Sequence, residues 1–382
     1  MNRLFNSDFL LTWEQDTDTL RAVLDTAEAL GDLAHAGVSC RVFESGLGLS
    51  IFRDHSTRTR YAFRAGCNLL GLMTEELDES TSQIAHGETV RETATMIGFL
   101  TEVIGIRDDI FLGEGDRYQR DVAAALAESH REGVLMQRPA VLNLQSDLDH
   151  PTQSLADLAH LVEVFGGFDQ LRGKKLAMSW AYSPSYGKPL SVPQGIITLM
   201  TRFGMEVVLA HPPGYDLVDE TVATARRFAQ DSGGSFAVTD SMSAAFENAD
   251  VVYPKSWAPA AVMRERTRIL RAREQAKLQD LEREALATNA KHKDWECTEA
   301  MMRATRGGAA HYLHCLPADV TDVSCAAGEV SKAVFDRVRL DTYREAAHKP
   351  LIIAALVLLT RFENPADVVS RLARESRPRR GG

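Results

Sequence analysis

The sequence predicts an α/β fold with two doubly wound parallel-sheet domains and a cleft between them. The chain has 382 residues, which is more than a single hydrophobic core usually supports. Short β-type runs alternate with segments of helical periodicity, the pattern of βαβ units in a parallel sheet. Because this alternation occurs in both halves of the chain, we predict two domains of similar construction.

The first half of the chain supplies the first set of alternating segments. In chain order, the predicted elements are a helix at 16–34, strands at 39–43 and 50–52, a helix at 60–72, and strands at 103–106 and 140–144. Such alternation indicates parallel βαβ units rather than hairpins. This half is therefore expected to fold as one doubly wound domain.

The second half repeats the pattern, and a helix joins the two halves. Its predicted elements are, in order, a strand at 175–180, a helix at 193–203, a strand at 206–210, a helix at 219–230, and strands at 250–253 and 311–314. The connecting helix, 154–165, ends at Gly166-Gly167. We therefore expect a first domain at 1–166, joined by a C-terminal helix at 350–375, and a second domain at 167–349.

The charge-laced segment 262–291 is predicted to form one long surface helix. Its apolar positions on one helical face are Leu270, Leu278, Leu281 and Ala285. A helix that binds nucleic acid or a protein partner is the alternative interpretation. Because acidic and basic residues are interspersed along the segment, we favour a solvated face.

The composition limits the classes of function. The net charge of −10 argues against a nucleic-acid partner, because the overall field repels phosphate chains. The five cysteines are scattered without a C-x-x-C pair, so a reducing, cytoplasmic compartment is expected rather than a disulfide framework. The longest apolar run, Leu351 to Leu359, is about half of the roughly 20 residues that a membrane span needs, so no membrane partner is expected.

The run Ser56-Thr57-Arg58-Thr59-Arg60 follows a predicted strand and leads directly into a helical pattern. A helix N-terminus offers backbone N–H groups and a favourable dipole to an anion, and guanidinium groups match phosphate oxygens. The run therefore predicts an anion site. An ordinary N-cap with solvated arginines is the structural alternative.

Two further runs carry polar or reactive groups at strand ends. His150-Pro151-Thr152-Gln153 follows the strand at 140–144, at the edge where open α/β sheets bind ligands, and could polarise a carbonyl or form a capped turn. His314-Cys315-Leu316-Pro317 ends a strand in the second half. Cys315 is either a nucleophile or a small residue whose backbone carbonyl accepts a hydrogen bond, and we favour the second interpretation.

The three runs together resemble, in order and spacing, the signature motifs of the aspartate and ornithine carbamoyltransferases. The resemblance covers nearly the whole chain, and three coordinated motifs are more specific than one. Lys255-Ser256-Trp257, the loop 183–195 and the run 293–297 resemble the knotted branch of acetylornithine and succinylornithine carbamoyltransferases, and within it the YgeW-like carbamoyltransferases. This branch implies a trefoil knot in the second domain.

The resemblance implies a carbamoyltransferase without cofactor or metal, which uses carbamoyl phosphate and an amino or ureido acid and assembles as a homotrimer. The implied catalytic residues are Arg107, His150 and Thr59. The implied ligands of carbamoyl phosphate are Ser56, Thr57, Arg58, Thr59, Arg107, His150, Gln153 and, through their backbone carbonyls, Cys315 and Leu316. The implied acceptor-binding residues are Lys255, Ser256, Trp257 and His86.

The chain also departs from the family pattern. The run 86–89 stands where the family often has a lysine, and Ala318-Asp319-Val320 lacks the usual arginine. Lys255 occupies a region where ornithine enzymes place an aspartate for the acceptor's amino group. A cation there suits a carboxylate, so we expect an acidic or acylated acceptor rather than ornithine.

Other functions compete with this interpretation. The two missing charges motivate a protein of the same fold that binds an anionic metabolite without turnover, and a transferase could also run in the catabolic, phosphorolytic direction. A zinc site is a weaker alternative, because its candidate ligands match no common spacing: His292, Cys297, His311 and His314. Gly46-Leu47-Gly48 lacks the third glycine of a dinucleotide-binding loop.

Overall fold

The computed structural model describes residues 2–79 and 87–380 and divides into two compact units. Unit 1 comprises Met1–Ala156 and Ala347–Gly382, and unit 2 comprises Asp157–Ala346. The chain first leaves unit 1 within the helix that the sequence assigns to the connector. The assignment of carbamoyl phosphate binding to one unit and of acceptor binding to the other stays a prediction.

Unit 1 is built on a four-stranded parallel sheet in the order β2-β1-β3-β4. Its strands are β1 (Leu47–Phe52), β2 (Met73–Leu77), β3 (Thr101–Asp108) and β4 (Ala140–Ser146). The helices among these strands are α1 (Thr17–His35), α2 (Arg58–Leu70), α3 (Val90–Gly98) and α4 (Gly115–Arg131). Most residues of β1, β3 and β4 are buried, as expected for parallel strands covered by helices on both faces.

Unit 2 contains a five-stranded parallel sheet in the order β7-β6-β5-β8-β9. Its strands are β5 (Lys175–Ser179), β6 (Glu206–Ala210), β7 (Ser235–Thr239), β8 (Val251–Pro254) and β9 (His311–Tyr312). Its helices are α6 (Ser191–Thr201), α7 (Asp219–Ser232), α8 (Met242–Phe246), α9 (Ala260–Arg271), α10 (Gln275–Asn289) and α11 (Glu299–Ala304). Two helices run along the chain from one unit to the other, α5 (Pro151–Phe165) and α12 (Lys332–Arg361), and α13 (Pro365–Glu375) follows in unit 1.

These two parallel-sheet units confirm the predicted fold class. The cleft between them and the trefoil knot stay predictions. Within the described ranges, no helix is both long enough and apolar enough to cross a membrane.

The prediction of a strand at 39–43 is wrong. The backbone N–H groups of Val42 and Phe43 both donate to the carbonyl of Leu70 at the end of α2, at 2.9 and 3.0 Å. Gly71, in the left-handed region with φ of 104°, ends that helix, and a Cβ on it would lie 2.3 Å from the Phe43 carbonyl oxygen. The segment therefore closes the helix end instead of joining the sheet.

The prediction of one long helix at 262–291 is also wrong, because α9 and α10 are separate. Arg273 adopts φ of 55°, and the N–H of Glu274 donates to the carbonyl of Ile269 at 3.1 Å. This six-residue closure is a helix C-terminal motif that normally prefers glycine at the left-handed position. The expected surface character is present, since most charged side chains of both helices are exposed or partly exposed.

The prediction of one C-terminal helix at 350–375 is wrong, because α12 begins at Lys332, contains Pro350 and ends at Arg361, before the separate α13. The apolar segment 352–359 of α12 is buried in unit 1. Gly66 of α2 permits a close approach there, because a Cβ on it would lie 2.7 Å from the carbonyl oxygen of Pro350. Packing of this segment against α2 therefore outweighs the helix-breaking tendency of the proline.

Candidate active site

The predicted anion run forms the start of α2. Thr57 and Arg58 are exposed, whereas Thr59 is buried. The Ser56 hydroxyl accepts a hydrogen bond from the backbone N–H of Thr59 at 3.3 Å, so Ser56 supplies the capping contact. The run thus combines a capped helix start with an exposed guanidinium and hydroxyl, as an anion site requires.

Arg60, the last residue of the run, has a different environment. Its guanidinium forms an ion pair with Glu76 and lies 4.4 Å from the centre of the Phe52 ring. Its charge is therefore balanced within the sheet region. Of the two arginines in the run, Arg58 is the better candidate for an anion ligand.

Arg107 lies at the carboxyl end of β3, in register with Phe52 of β1, and so reaches the same sheet edge as the anion run. Its Nη2 lies 3.1 Å from a carboxylate oxygen of Asp109 and 3.4 Å from one of Asp54. Its Nε is buried and forms no hydrogen bond with the described residues. Burial raises the pKa of Asp109 to about 7, although Arg107 opposes this shift.

A second ion-pair cluster lies at this edge of the sheet. Arg53 donates to both carboxylate oxygens of Glu79, at 2.9 and 2.7 Å, and to Asp108 at 2.8 Å. Its guanidinium carbon lies 3.5 Å from the centre of the Tyr118 ring. The cluster links the ends of β1 and β3 and so fixes the backbone from which Arg107 projects.

His150 directly precedes α5 and is 3% exposed. Its Nδ1 lies 3.5 Å from the hydroxyl oxygen of Thr152, and its Nε2 lies 3.4 Å from Nζ of Lys349 on α12. Burial, together with the positive charges of Lys349, Arg107 and Arg58, holds the pKa of His150 well below 6.5. A neutral imidazole thus stands among three cations, an arrangement suited to an anionic ligand.

The turn before His150 is fixed by Asp149, which is fully buried. Its carboxylate accepts from the backbone N–H of Thr12 at 2.7 Å and from the Thr12 hydroxyl at 2.8 Å. Burial raises the pKa of Asp149 to about 7, against the lowering effect of these hydrogen bonds. Gln153 is buried in the first turn of α5. Unit 1 therefore contains every predicted carbamoyl phosphate ligand except the two backbone carbonyls.

Cys315 and Leu316, which would supply those carbonyls, follow β9 in unit 2. The Leu316 N–H donates to Nδ1 of His314 at 2.9 Å, and Nε2 of the same ring lies 3.2 Å from Glu329. Because Nδ1 accepts, the ring proton is on Nε2 and is donated to Glu329. His314 thus fixes the turn, while the contact of the carbonyls with a carbamoyl group stays a prediction.

Glu329 is the centre of a buried polar network in unit 2. Its carboxylate accepts from the backbone N–H groups of Ser256, at 2.7 Å, and Asp319, at 2.8 Å. The ammonium groups of Lys188 and Lys255 lie 3.1 and 3.5 Å from Oε1. Although burial alone would raise the pKa of Glu329, the surrounding cations hold it well below 4.5. Lys188 also pairs with the Asp319 carboxylate at 2.6 Å, so two carboxylates balance two ammonium groups within the unit.

The predicted acceptor-binding residues Lys255, Ser256 and Trp257 are all buried in unit 2. Nζ of Lys255 donates to the Ser256 carbonyl at 2.9 Å, and burial lowers the pKa of this lysine. Nε1 of Trp257 donates to the carbonyl of Tyr215 at 2.8 Å. His86 lies outside the described residues. Contact of these residues with an acceptor stays a prediction.

Sequence reasoning missed three residues that organise these sites, Lys349, Glu329 and Asp109. Lys349 had a local signal, because it is a single cation beside a long apolar run and a buried charge normally needs a partner. Glu329 and Asp109 had none that distinguishes them from surface acids. The alternative zinc ligands are not gathered into one cluster in the described part of the chain: His292, Cys297, His311 and His314.

Comparison with protein families gives two consecutive matches. Residues 7–163 match the carbamoyl-P binding domain of aspartate/ornithine carbamoyltransferase, and residues 190–360 match the Asp/Orn binding domain. The chain is 58% identical over 378 residues to YgeW of Escherichia coli (strain K12), a proposed carbamoyltransferase, across 99% of this chain and 96% of YgeW. It is 27% identical over 369 residues to the catabolic ornithine carbamoyltransferase of Treponema denticola, across 92% of this chain and 94% of that enzyme.

Solved structures agree with these matches. Ornithine carbamoyltransferase from Pyrococcus furiosus shares the fold with a TM-score of 0.73 at 22% identity, covering 94% of this chain and 97% of that one. Acetylornithine transcarbamylase complexed with acetylcitrulline gives a TM-score of 0.71 at 25% identity, covering 91% of this chain and 98% of that one.

Proposed function

Because the chain belongs to the aspartate/ornithine carbamoyltransferase family and is a carbamoyltransferase, we propose that it moves the carbamoyl group between carbamoyl phosphate and an amino or ureido acid other than ornithine. The observation that carries this proposal is that unit 1 holds the capped start of α2 with Arg58, Arg107 at the adjoining end of β3, and Lys349 in contact with His150. Three cations in one neighbourhood match a doubly charged phosphate better than a neutral or cationic ligand.

Different residues are proposed to contact different parts of carbamoyl phosphate. Ser56, Thr57 and Arg58 would hold the phosphate at the start of α2, and Arg107 would reach both phosphate and carbonyl oxygen. His150 and Gln153 would contact the carbamoyl group. The carbonyls of Cys315 and Leu316, in unit 2, would accept from the carbamoyl NH₂ and fix its orientation. Thr59 would complete the catalytic set with Arg107 and His150.

The proposed chemistry needs no covalent intermediate. The acceptor amine attacks the carbamoyl carbon, the bond between that carbon and the phosphate oxygen breaks, and phosphate leaves while the amine nitrogen loses a proton. In the phosphorolytic direction, a phosphate oxygen attacks a ureido carbon and the amine leaves with the proton. Negative charge develops on the carbonyl oxygen in both directions, and preorganised cationic donors stabilise it most effectively.

Two features support an acceptor with a carboxylate. Lys255 and Lys188 lie together in unit 2, in the region where the family resemblance predicts acceptor binding. Acetylornithine transcarbamylase, a structural relative, was solved in complex with acetylcitrulline, an acylated amino acid. We therefore propose Lys255, Ser256, Trp257 and His86 as acceptor-binding residues, and a homotrimer as the assembly.

The test is a coupled phosphate-release assay with carbamoyl phosphate and a panel of amino acids, together with arsenolysis of the corresponding ureido acids. We expect turnover with an acidic or acylated member of the panel and none with ornithine. Efficient citrulline formation from ornithine would contradict the proposed acceptor class.

Binding of an anionic metabolite without turnover is the second candidate function. The favouring observation is that Arg107 contacts two carboxylates, Asp54 and Asp109, which oppose its charge. Tight binding of carbamoyl phosphate without phosphate release in either direction, across the whole panel, would support this alternative.

A further inference from the structure

Two buried carboxyl groups meet in unit 2, next to the turn 314–316 that follows β9. Asp157 lies on α5 and Glu345 on α12, both side chains are fully buried, and they are hydrogen-bonded to each other. An ionised carboxylate has acceptor atoms only, so a hydrogen bond between two carboxyl groups needs a proton on one of them. Burial, followed by the negative charge of Asp157, raises the pKa of Glu345 well above 4.5. The pair therefore holds one proton between its two carboxyl groups.

This carboxyl pair is attached to the turn at two points. The backbone N–H of His314 donates to both carboxyl oxygens of Glu345, each at 3.2 Å. The hydroxyl of Tyr253, in β8, donates to the Asp157 carboxyl at 3.3 Å and is also hydrogen-bonded to the thiol of Cys315. Because the hydroxyl proton is directed to Asp157, the hydroxyl oxygen accepts from that thiol. The contacts thus run from the backbone at one end of the turn to a side chain at its centre.

We propose that Asp157 and Glu345, which share one proton, form with Tyr253 a hydrogen-bonded network that positions the turn 314–316 for its contact with the carbamoyl group. This inference rests on the proposed function, because it assigns the turn to the carbamoyl NH₂. The three residues are positioning residues, since they act on the ligand through the turn. They lie on three different elements, α5, α12 and β8, so the network fixes the turn relative to all three.

The turn requires such support, because part of its backbone is strained. Leu316 adopts φ of 53°, in the left-handed region that leucine rarely occupies, and such a conformation persists only where surrounding contacts fix it. The network supplies contacts at the two preceding residues, through the N–H of His314 and the thiol of Cys315. None of these contacts involves the backbone carbonyls of Cys315 and Leu316. The network is therefore compatible with the role proposed for both carbonyls toward the carbamoyl NH₂.

The first test is the shared proton, measured by infrared spectroscopy of the full-length protein at about pH 7. We expect the carbonyl-stretch band of a protonated carboxyl group, and we expect Glu345→Gln to remove it. The difference spectrum between the unmodified protein and this variant separates the band from those of other buried acids, such as Asp109 and Asp149. A difference spectrum without a protonated carboxyl band would overturn the proposal, whether or not the protein turns over carbamoyl phosphate.

The second test compares the affinities for carbamoyl phosphate and inorganic phosphate, measured by calorimetry. The turn is proposed to contact only the carbamoyl end of the ligand. Glu345→Ala and Tyr253→Phe should therefore each weaken carbamoyl phosphate binding about tenfold, roughly the effect of one lost hydrogen bond, and leave phosphate binding nearly unchanged. Equal losses for the two ligands would show a general structural effect and would refute the positioning role.

A conservative variant separates the hydrogen bonds of Glu345 from its charge. Glu345→Gln keeps a donor toward Asp157 and an acceptor for the N–H of His314, so it should lose much less carbamoyl phosphate affinity than Glu345→Ala. The same loss in both variants would contradict a role that depends on these hydrogen bonds.

Asp341→Asn is the matched control, because Asp341 lies one turn before Glu345 on α12 and pairs with Arg344 at the surface. It should leave the infrared band and both affinities unchanged. An absence of carbamoyl phosphate binding by the unmodified protein would contradict the proposed function and the positioning role with it. The infrared band would still decide whether Asp157 and Glu345 share a proton.

Discussion

The buried charges of the two units have different surroundings. In unit 2, the Glu329 carboxylate contacts Lys188 and Lys255, and Lys188 also pairs with Asp319 at 2.6 Å, so two carboxylates balance two ammonium groups. In unit 1, Lys349 lies 3.4 Å from the imidazole of His150, and the positive charges of Lys349, Arg107 and Arg58 add to burial in lowering the pKa of this ring. The network of unit 2 is suited to holding a fold together, whereas the cations near His150 in unit 1 are suited to an anionic ligand.

Removal of the negative charge of Glu329 should have the largest effect on stability. Glu329→Gln would leave Lys255 buried without its carboxylate partner and Lys188 with Asp319 alone, and breaking a buried ion pair typically costs about 3–5 kcal/mol. We expect a loss of unfolding free energy of this order, measured by chemical denaturation. Asp336→Asn, which removes an exposed partner of Lys332, should leave the unfolding free energy nearly unchanged. Equal effects of the two variants would contradict a structural role for Glu329.

In unit 1, the removal of a cation should affect ligand binding rather than stability. Arg58→Ala removes a charge-assisted contact from an exposed position, so carbamoyl phosphate binding should weaken by about 3 kcal/mol, roughly a hundredfold, with the unfolding midpoint preserved. Calorimetry measures the affinity. Arg64→Ala is the matched control on the same helix, since Arg64 pairs with Glu76 on the exposed side. Unchanged affinity in a folded Arg58→Ala variant would refute the anion site at α2.

The sequence predicts some strands of the two sheets better than others. Strands β3 and β4 are mostly buried and carry the apolar runs 103–106 and 140–142, so both are visible in the sequence without the structure. The sequence of β2, Met73–Leu77, contains two glutamates, and β7, Ser235–Thr239, is largely exposed, so both edge strands lack a clear pattern. Pro350 marked a false helix start, because the packing of α12 against Gly66 is a tertiary effect.

In the candidate sites, the contiguous motifs were predictable from the sequence, whereas contacts between residues far apart in the chain were not. The runs at 56–60, 150–153 and 314–317 are contiguous, so their chemistry could be predicted directly. The contact of Lys349 with His150 joins residues far apart in sequence, and that of Glu329 with Ser256 spans 73 positions. No local pattern in a single sequence specifies such pairs. The partners that set the charge of each site were therefore accessible only from the fold.

A variant of Lys255 distinguishes a role in acceptor binding from a purely structural role in the Glu329 network. If Lys255 binds the acceptor carboxylate as proposed, Lys255→Met should weaken an acidic or ureido ligand about ten- to a hundredfold and leave carbamoyl phosphate affinity nearly unchanged. Competition binding with both ligands measures the two effects. A large loss of stability with no selective loss of the acceptor would assign Lys255 wholly to the Glu329 network.

The smallest expected effect concerns Asp109, the carboxylate beside Arg107 in unit 1. Burial raises its pKa in the folded protein to about 7, above the ordinary value of 3.8, so the folded state binds this proton more tightly than the unfolded chain does. The contribution of Asp109 to stability is therefore fully present below about pH 4 and is lost as the pH rises to about 7. Above that pH, the ionised carboxylate also competes with an anionic ligand for Arg107.

Asp109→Asn should therefore remove a pH dependence that the unmodified protein shows. Loss of a partly screened charge contact of about 0.5–1 kcal/mol predicts carbamoyl phosphate binding roughly two- to fivefold tighter in the variant above pH 7, and a difference that vanishes near pH 5. The phosphate group of the ligand titrates near pH 6, but that change is common to both proteins and cancels in the ratio of their dissociation constants. Calorimetric titrations at several pH values measure this ratio. A constant ratio would show that Asp109 does not compete with the ligand for Arg107.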